Sequence, residues 1–226
     1  MVTGAGAVAT VFGGEPVHLL PERAAWLPRQ CLLLVADAHI GKAQAYRRLG
    51  QPVPEGTTQV TLDRLDRAIA RCGASHVVFL GDLLHAAAGR SPAVMSAVAA
   101  WRQRNPELQL TLVVGNHDRH AGAPPADWRV AVVEGPWQPD PQSPLALDHE
   151  PQVAEGRFVL AGHVHPAAVL GGRAHQRLRL PCFHLGPQVG VLPAFGEFTG
   201  MHVMPRGPSD RVFVIADNSV HELPRC

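Results

Sequence analysis

The chain has 226 residues, 46% hydrophobic and 17% charged, which is enough apolar material for a sizeable core and excludes a disordered chain. Its 20 basic and 19 acidic residues nearly cancel, so any basic footprint for nucleic acid must be local. The four cysteines, Cys31, Cys72, Cys182 and Cys226, are scattered and form no Cys-x-x-Cys pair, which excludes a zinc ribbon and suits reduced thiols in the cytoplasm. The amino terminus has no basic segment followed by an apolar one, and the longest strongly apolar run, residues 31–36, is far too short for a bilayer, so neither a signal peptide nor a membrane span is expected.

Segments 9–12 and 16–20 flank Gly13-Gly14, a two-residue hairpin turn. Residues 32–36 are a continuous apolar run and read as a strand buried on both faces. In residues 57–72, Leu62, Leu65, Ile69 and Cys72 recur at helical spacing, and Gly73 is placed to end the helix. The next buried strand is 76–80. Ser91-Pro92 then supplies a cap and a first-turn proline for a helix to about Asn105, followed by a strand at 108–114. Residues 124–151 are proline-rich, with short strands at 130–133 and 145–147. The last third is strand-rich, at 158–161, 177–180, 189–192 and 212–215. Helices early and strands late predict one α/β domain over residues 1–226, with two stacked sheets.

Five of these strands run into polar residues that can bind a metal. The blocks are Asp37-Ala-His39, Gly81-Asp82-Leu-Leu-His85, Gly115-Asn116-His117-Asp118, Asp148-His149-Glu150 and Gly162-His163-Val-His165. In an open α/β sheet the carboxyl ends of the strands form the edge where ligands bind. Each block alone has an ordinary explanation: a chance pair, a turn, an Asn in a left-handed conformation, a satisfied histidine. Five together, each after an apolar run, point to a metal site. Oxygen and imidazole donors without thiolate suit manganese, iron or zinc.

The order of these blocks resembles the calcineurin-like metallophosphoesterases. Ala36-Asp-Ala-His-Ile-Gly-Lys42, Arg47-Arg-Leu-Gly50 with Pro52-Val-Pro54, Leu180-Pro-Cys-Phe183, Leu192-Pro-Ala-Phe-Gly196 and Phe198-Thr-Gly200 are similar, within that superfamily, to the ligase-associated DNA damage response endonuclease (PdeM) family. Ala38, where a leucine is common, and Met201-His202 are small departures that touch no expected ligand. The resemblance implies a four-layer α/β/β/α sandwich of two stacked mixed sheets flanked by helices. It implies that Asp37, His39, Asp82 and His165 hold one divalent ion, and that Asp82, Asn116, His149 and His163 hold a second. Manganese is the expected metal, with iron or zinc as alternatives. A shared carboxylate keeps two such ions close enough to clamp one phosphoryl group. His117 is the expected catalyst that is not a ligand, acting on the leaving oxygen, and His85 is a candidate beside it. Asp118 either orients His117 or caps a helix or turn.

The substrate implied by the resemblance is DNA, single-stranded, cut internally during repair, in association with an Lhr-type helicase and a DNA ligase. Lys42, Tyr46, Arg47 and Arg48 after the first block, Arg119 and His120 after the third, and the set Arg173, Arg177 and Arg179 are candidate phosphate contacts. Each can also be a solvated face. Only 5% of residues are aromatic, with Tyr46, Trp128 and Trp137 the loop candidates for base stacking. A phosphatase or small-molecule phosphodiesterase with the same site is the alternative, and a non-catalytic scaffold ranks lower because every ligand residue is present.

Overall fold

A computed structural model describes residues 4–172 and 176–225 of the chain. The first sheet contains β1 (Val8–Phe12), β2 (Glu15–Leu20), β3 (Ala24–Leu27), β4 (Leu32–Ala36), β5 (His76–Leu80), β6 (Gln109–Val113) and β7 (Val130–Val133), in that spatial order. β1 to β4 pair antiparallel, and β4 to β7 pair parallel. The parallel half needs crossovers. α1 (Lys42–Arg48) and α2 (Thr57–Cys72) lead from β4 to β5, α3 (Pro92–Arg104) leads to β6, and α4 (Asn116–Ala121) precedes β7. Gly73 ends α2 in the left-handed conformation, φ 68°, and the Ser91 hydroxyl accepts the Val94 N–H at the start of α3, as their positions in the sequence predict.

The second sheet contains β8 (Leu145–Leu147), β9 (Phe158–Ala161), β10 (Pro166–Gly171), β11 (Arg177–Leu185), β12 (Val189–Val191), β13 (His202–Val203), β14 (Arg211–Ala216) and β15 (Ser219–Glu222). Its main path runs β13-β10-β11-β12-β9-β8, and β14 pairs with both β11 and β15. The two mixed sheets and their flanking helices form the expected α/β sandwich. None of the helices among the described residues is long and apolar enough to cross a membrane.

The apolar runs of β4 and β5 are continuous because both faces are covered. Leu33, Val35, Val77 and Phe79 point to one side and pack with Leu62 and Leu65 of α2 and Val94, Val98 and Trp101 of α3. Leu34, Ala36, Val78 and Leu80 point to the other side and pack with Leu145, Leu160, Phe183 and Phe213 of the second sheet. The two-residue period of a strand thus assigns alternate side chains to two cores. The parallel register is flush: Ala36 pairs with Leu80, and Leu80 with Val113. The polar residues that follow these ends, Asp37, Asp82 and Asn116, therefore emerge side by side. Phe195 N–H to Ala36 O (2.8 Å), Leu192 N–H to Ala161 O (2.8 Å) and the His149 ring on Leu80 O (3.1 Å) bring the second sheet's loops to the same rim.

Several elements extend or depart from the predicted ones. β11 continues through Pro181 to Leu185, and β3, β10, β13, β15 and the short α4 have no counterpart in the sequence reading. Arg173 and Cys226 lie outside the described residues.

Candidate metal centre

The strand-end blocks converge on one rim, where Asp37 and Asp82 each stand near the donor atoms of two groups. In the first, the Nε2 atoms of His39 and His165 face each other at 3.2 Å. Asp82 Oδ2 lies 3.8 Å from His39 Nε2, and Asp37 Oδ1 lies 3.6 Å from His165 Nε2. In the second, His149 Nε2 is 2.7 Å from Asn116 Oδ1, 3.0 Å from His163 Nδ1 and 3.6 Å from Asp82 Oδ1. His163 Nδ1 also reaches Asn116 Oδ1 at 3.1 Å. The seven expected ligand residues are thus within one constellation.

The backbone around them is strained in a specific way. Asp37, His39, Asp82, His163 and His165 all have positive φ, between 44° and 69°. This left-handed region is unfavourable for side chains with a Cβ, and clusters of such residues mark sites where the fold holds a functional geometry against local preference. Three glycines make room for these side chains. A Cβ on Gly81 would meet the His149 ring at 2.1 Å, one on Gly115 would meet Asp82 Oδ1 at 2.4 Å, and one on Gly162 would meet Asp37 Oδ2 at 2.7 Å.

Hydrogen bonds outside the site set the histidine tautomers. His149 Nδ1–H donates to Leu80 O at 3.1 Å, and His165 Nδ1–H donates to Gly200 O at 3.2 Å. A carbonyl only accepts, so in each neutral ring the bare nitrogen is Nε2, turned into the site. Asp37 is fully buried; its Oδ2 accepts the His163 N–H at 2.9 Å, while Oδ1 has no hydrogen-bond partner. An orphaned carboxylate oxygen within 3.6 Å of the bare His165 Nε2 is costly without a cation. This donor set fits divalent ions.

Electrostatics agree. Burial, with Lys42, His165, His85 and His117 nearby, holds the His39 imidazole well below its usual range, so the ring is neutral and able to coordinate. Burial pushes the Asp82 carboxyl up, against the opposing pull of His149 and the His117 N–H, with Asp37 adding to the rise. Burial lowers the Lys42 ammonium, partly offset by Asp37 and Asp82. That placement keeps the chain's single lysine within the field of the centre.

His117 stands beside the shared carboxylate. Its N–H donates to Asp82 Oδ1 at 2.8 Å, and its Nδ1–H donates to His85 O at 2.8 Å, leaving Nε2 3.9 Å from Asp82 Oδ2. The His85 ring stacks on His117 with centroids 4.6 Å apart, and its Nδ1 lies 3.4 Å from His39 Nδ1. Burial, with His117 and Lys42 nearby, lowers its pKa to about 4. His39, His85 and His117 also form a nitrogen cluster, but one without a carboxylate to offset a cation's charge. Asp118 accepts from Asp82 N and Gly115 N (2.7 and 3.0 Å) and from Leu84 N (3.2 Å). It ties the β5 and β6 end loops together, and its carboxylate is spent on these backbone N–H groups. Asn116 opens α4 and does not take the left-handed conformation weighed for it.

The outer candidates divide. Arg47 is spent on its own loop, donating to Val53 O, Pro54 O and Gln44 Oε1, and Arg48 is exposed. Arg119 pairs with Glu134 at 2.5 Å and lines a cavity of about 190 Å³ beside Asn116 and His149, while His120 is exposed. Arg177 and Arg179 lie on the exposed half of β11. Trp128 is buried and Trp137 half-buried, so of the expected stacking residues only Tyr46 stands at the rim. Phe198 stands beside Tyr46, edge to face at 5.6 Å; its motif is visible in the sequence, its position is not.

Among solved structures, the nuclease MPE of Pseudomonas putida is 42% identical, with a TM-score of 0.83, covering 96% of this chain and 100% of that one. This chain belongs to the same family, the calcineurin-like metallophosphoesterases. It is accordingly a hydrolase. More distant likenesses are the phosphoesterase YfcE of E. coli (15% identity, TM-score 0.40, 85% of this chain and 97% of that) and AQ665 of Aquifex aeolicus, a protein of unknown function (14%, 0.40, 59% and 78%). No family model and no curated protein matches the chain.

Proposed function

We propose that this metallophosphoesterase is a manganese-dependent endonuclease acting on single-stranded DNA in repair, in the cytoplasm. The observation that supports it most is the pair of donor groups sharing Asp82, in a chain 42% identical to a nuclease. Asp37, His39, Asp82 and His165 would hold one ion, and Asp82, Asn116, His149 and His163 the other. Such a pair supplies Lewis-acid polarisation of a phosphoryl group and a lowered pKa for water. The protein's own part is to keep Nε2 of His149 and His165 bare and to hold Asp82 between the groups. His117, its Nδ1–H fixed on the His85 carbonyl, presents Nε2 toward the centre. In the imidazolium form that atom carries the proton for the leaving oxygen. His85 acts as a positioning residue, through its stacking on His117 and its contact with His39.

An extended substrate suits the rim better than a monoester. Cavities of about 190 and 140 Å³ lie at the two ends of the ligand row, beside Asn116 and His149 and beside His165 respectively. A strand can cross between them, with Lys42 and Arg119 near the flanking phosphates. Association with a helicase and a ligase remains part of the proposal. The test is circular single-stranded DNA with manganese, beside an Asp82→Ala control. Linearisation by the wild type alone is expected, since an exonuclease needs an end. An intact circle with active hydrolysis of a small phosphomonoester would replace this reading with the phosphatase one.

A further inference from the structure

The ring of Phe198 has no role in the centre described above, yet the fold holds it there at a cost. Phe198 is 43% exposed, and its φ of 58° is a conformation that bulky side chains avoid. The segment carrying it is bolted to the ligand-bearing backbone on both sides. Phe195 N–H and Gly196 N–H donate to Ala36 O and Asp37 O at 2.8 and 3.1 Å. Glu197 N–H donates to Thr61 Oγ1, and the Glu197 carboxylate pairs with Arg64. Beyond Phe198, Gly200 O accepts from the ring of the expected ligand His165. Gly196 is required for the approach, because a Cβ there would meet Ala38 O at 2.2 Å. Aromatic rings lead from the centre to Phe198. His117 stacks on His85 at 4.6 Å, Tyr46 lies 5.9 Å from His85, and Phe198 meets Tyr46 edge to face at 5.6 Å. Beside Phe198, Met201, Pro166 and Pro181 border the cavity of about 140 Å³ that opens on His165.

We infer that Phe198, braced by Tyr46, is the stacking surface for one unpaired nucleobase next to the scissile phosphate. This rests on the proposal that the substrate is DNA. The occupant must be flat, apolar on its faces and joined to a phosphodiester, because the surface is an aromatic face within three ring spacings of His117. A base inside a duplex has both faces covered by its neighbours, so only an unpaired one can use this surface. Phe198 thereby makes the enzyme selective for single strands.

The test compares wild type, Phe198→Ala and Phe198→Trp with manganese, on a single-stranded oligonucleotide and on an all-abasic strand of equal length. Phe198→Ala is expected to lower kcat/KM on the normal strand about 5- to 100-fold, mostly through KM, from the usual strength of base–aromatic stacking. Phe198→Trp should restore it, and on the abasic strand all three proteins should be equal. Equal cutting of the normal strand by wild type and Phe198→Ala would overturn the inference while leaving the nuclease reading intact, as would an equal loss on both strands. If manganese-loaded wild type cuts neither strand, the DNA reading fails first and this inference with it.

Discussion

The two ends of the parallel strands β4 to β6 form an instructive pair. At the amino-terminal end a cavity of about 360 Å³ is lined by His76, Arg102, Gln109, Thr111 and Arg129. It is roomier than either cavity at the carboxyl rim and is also lined by polar groups. Yet its histidine, threonine and two arginines have partners. His76 Nε2 meets Thr111 Oγ1 at 2.9 Å, buried Arg102 donates to the carbonyls of Trp128, Asn105 and Pro106, and Arg129 donates to Pro106 O. At the carboxyl end Asp37 Oδ1 has no partner, imidazole nitrogens face each other, and five of the expected ligand residues sit at positive φ. Cavity size alone would pick the wrong end. Unsatisfied donors and acceptors held by strained backbone distinguish the two.

Substitutions at the two ends should therefore separate activity from stability. Asp82→Ala is expected to have the largest effect, a fall in phosphoester hydrolysis of at least about 10³-fold, because both donor groups lose their shared oxygen ligand. Steady-state rates with excess manganese check it, and a loss under about tenfold would contradict the bridging role. Gly81→Ala tests the room left for a ligand. The new Cβ meets both a φ of 74° and the His149 ring, so a stability loss of about 2–4 kcal/mol and a drop in activity of about 10–100-fold are expected. Gly73→Ala is its control: φ is 68° but nothing lies within 4 Å, so a loss of about 1 kcal/mol with unchanged turnover should be seen in urea titrations and assays.

At the other end, Arg102→Ala strips donors from three carbonyls and should cost about 2–3 kcal/mol in chemical denaturation while the folded fraction keeps its activity and metal content. The smallest effect is expected from His76→Gln. Burial lowers the His76 pKa from its ordinary 6.5, so the unfolded chain binds this proton more readily than the fold does. Its contribution to stability is present above pH 6.5 and is lost as pH falls from there toward the folded pKa. Glutamine can keep the Thr111 contact without that proton, so the metal-free variant should lose less stability between pH 7 and pH 5 than wild type. Parallel stability curves would sink this assignment.

The same contrast explains what was legible in the sequence. β4 and β5 announced themselves because burial on two faces leaves an uninterrupted apolar run, and the polar block after each run named side chains that meet at one rim. The brevity of α4 hid it inside the block Gly115-Asn116-His117-Asp118, and Pro181 masked the continuation of β11, where it pairs with Ala167. Trp128 looked like a loop aromatic, but it is buried in the core that α2 and α3 cover, with its carbonyl held by Arg102, a long-range placement that local pattern does not carry. Positive φ at Asp37, His39, Asp82, His163 and His165 was invisible, because the bonds that impose it come from other strands' loops. The place of Phe198 depended on the same kind of contact: the bonds of Phe195 and Gly196 to Ala36 and Asp37, far away in the chain.

A crystal structure of manganese-soaked protein, with anomalous scattering recorded at the manganese edge, tests the metal centre most directly. Two peaks are expected, one among Asp37, His39, Asp82 and His165 and one among Asp82, Asn116, His149 and His163, both lost in Asp82→Ala. A single peak, or one among His39, His85 and His117, would contradict the shared-carboxylate centre.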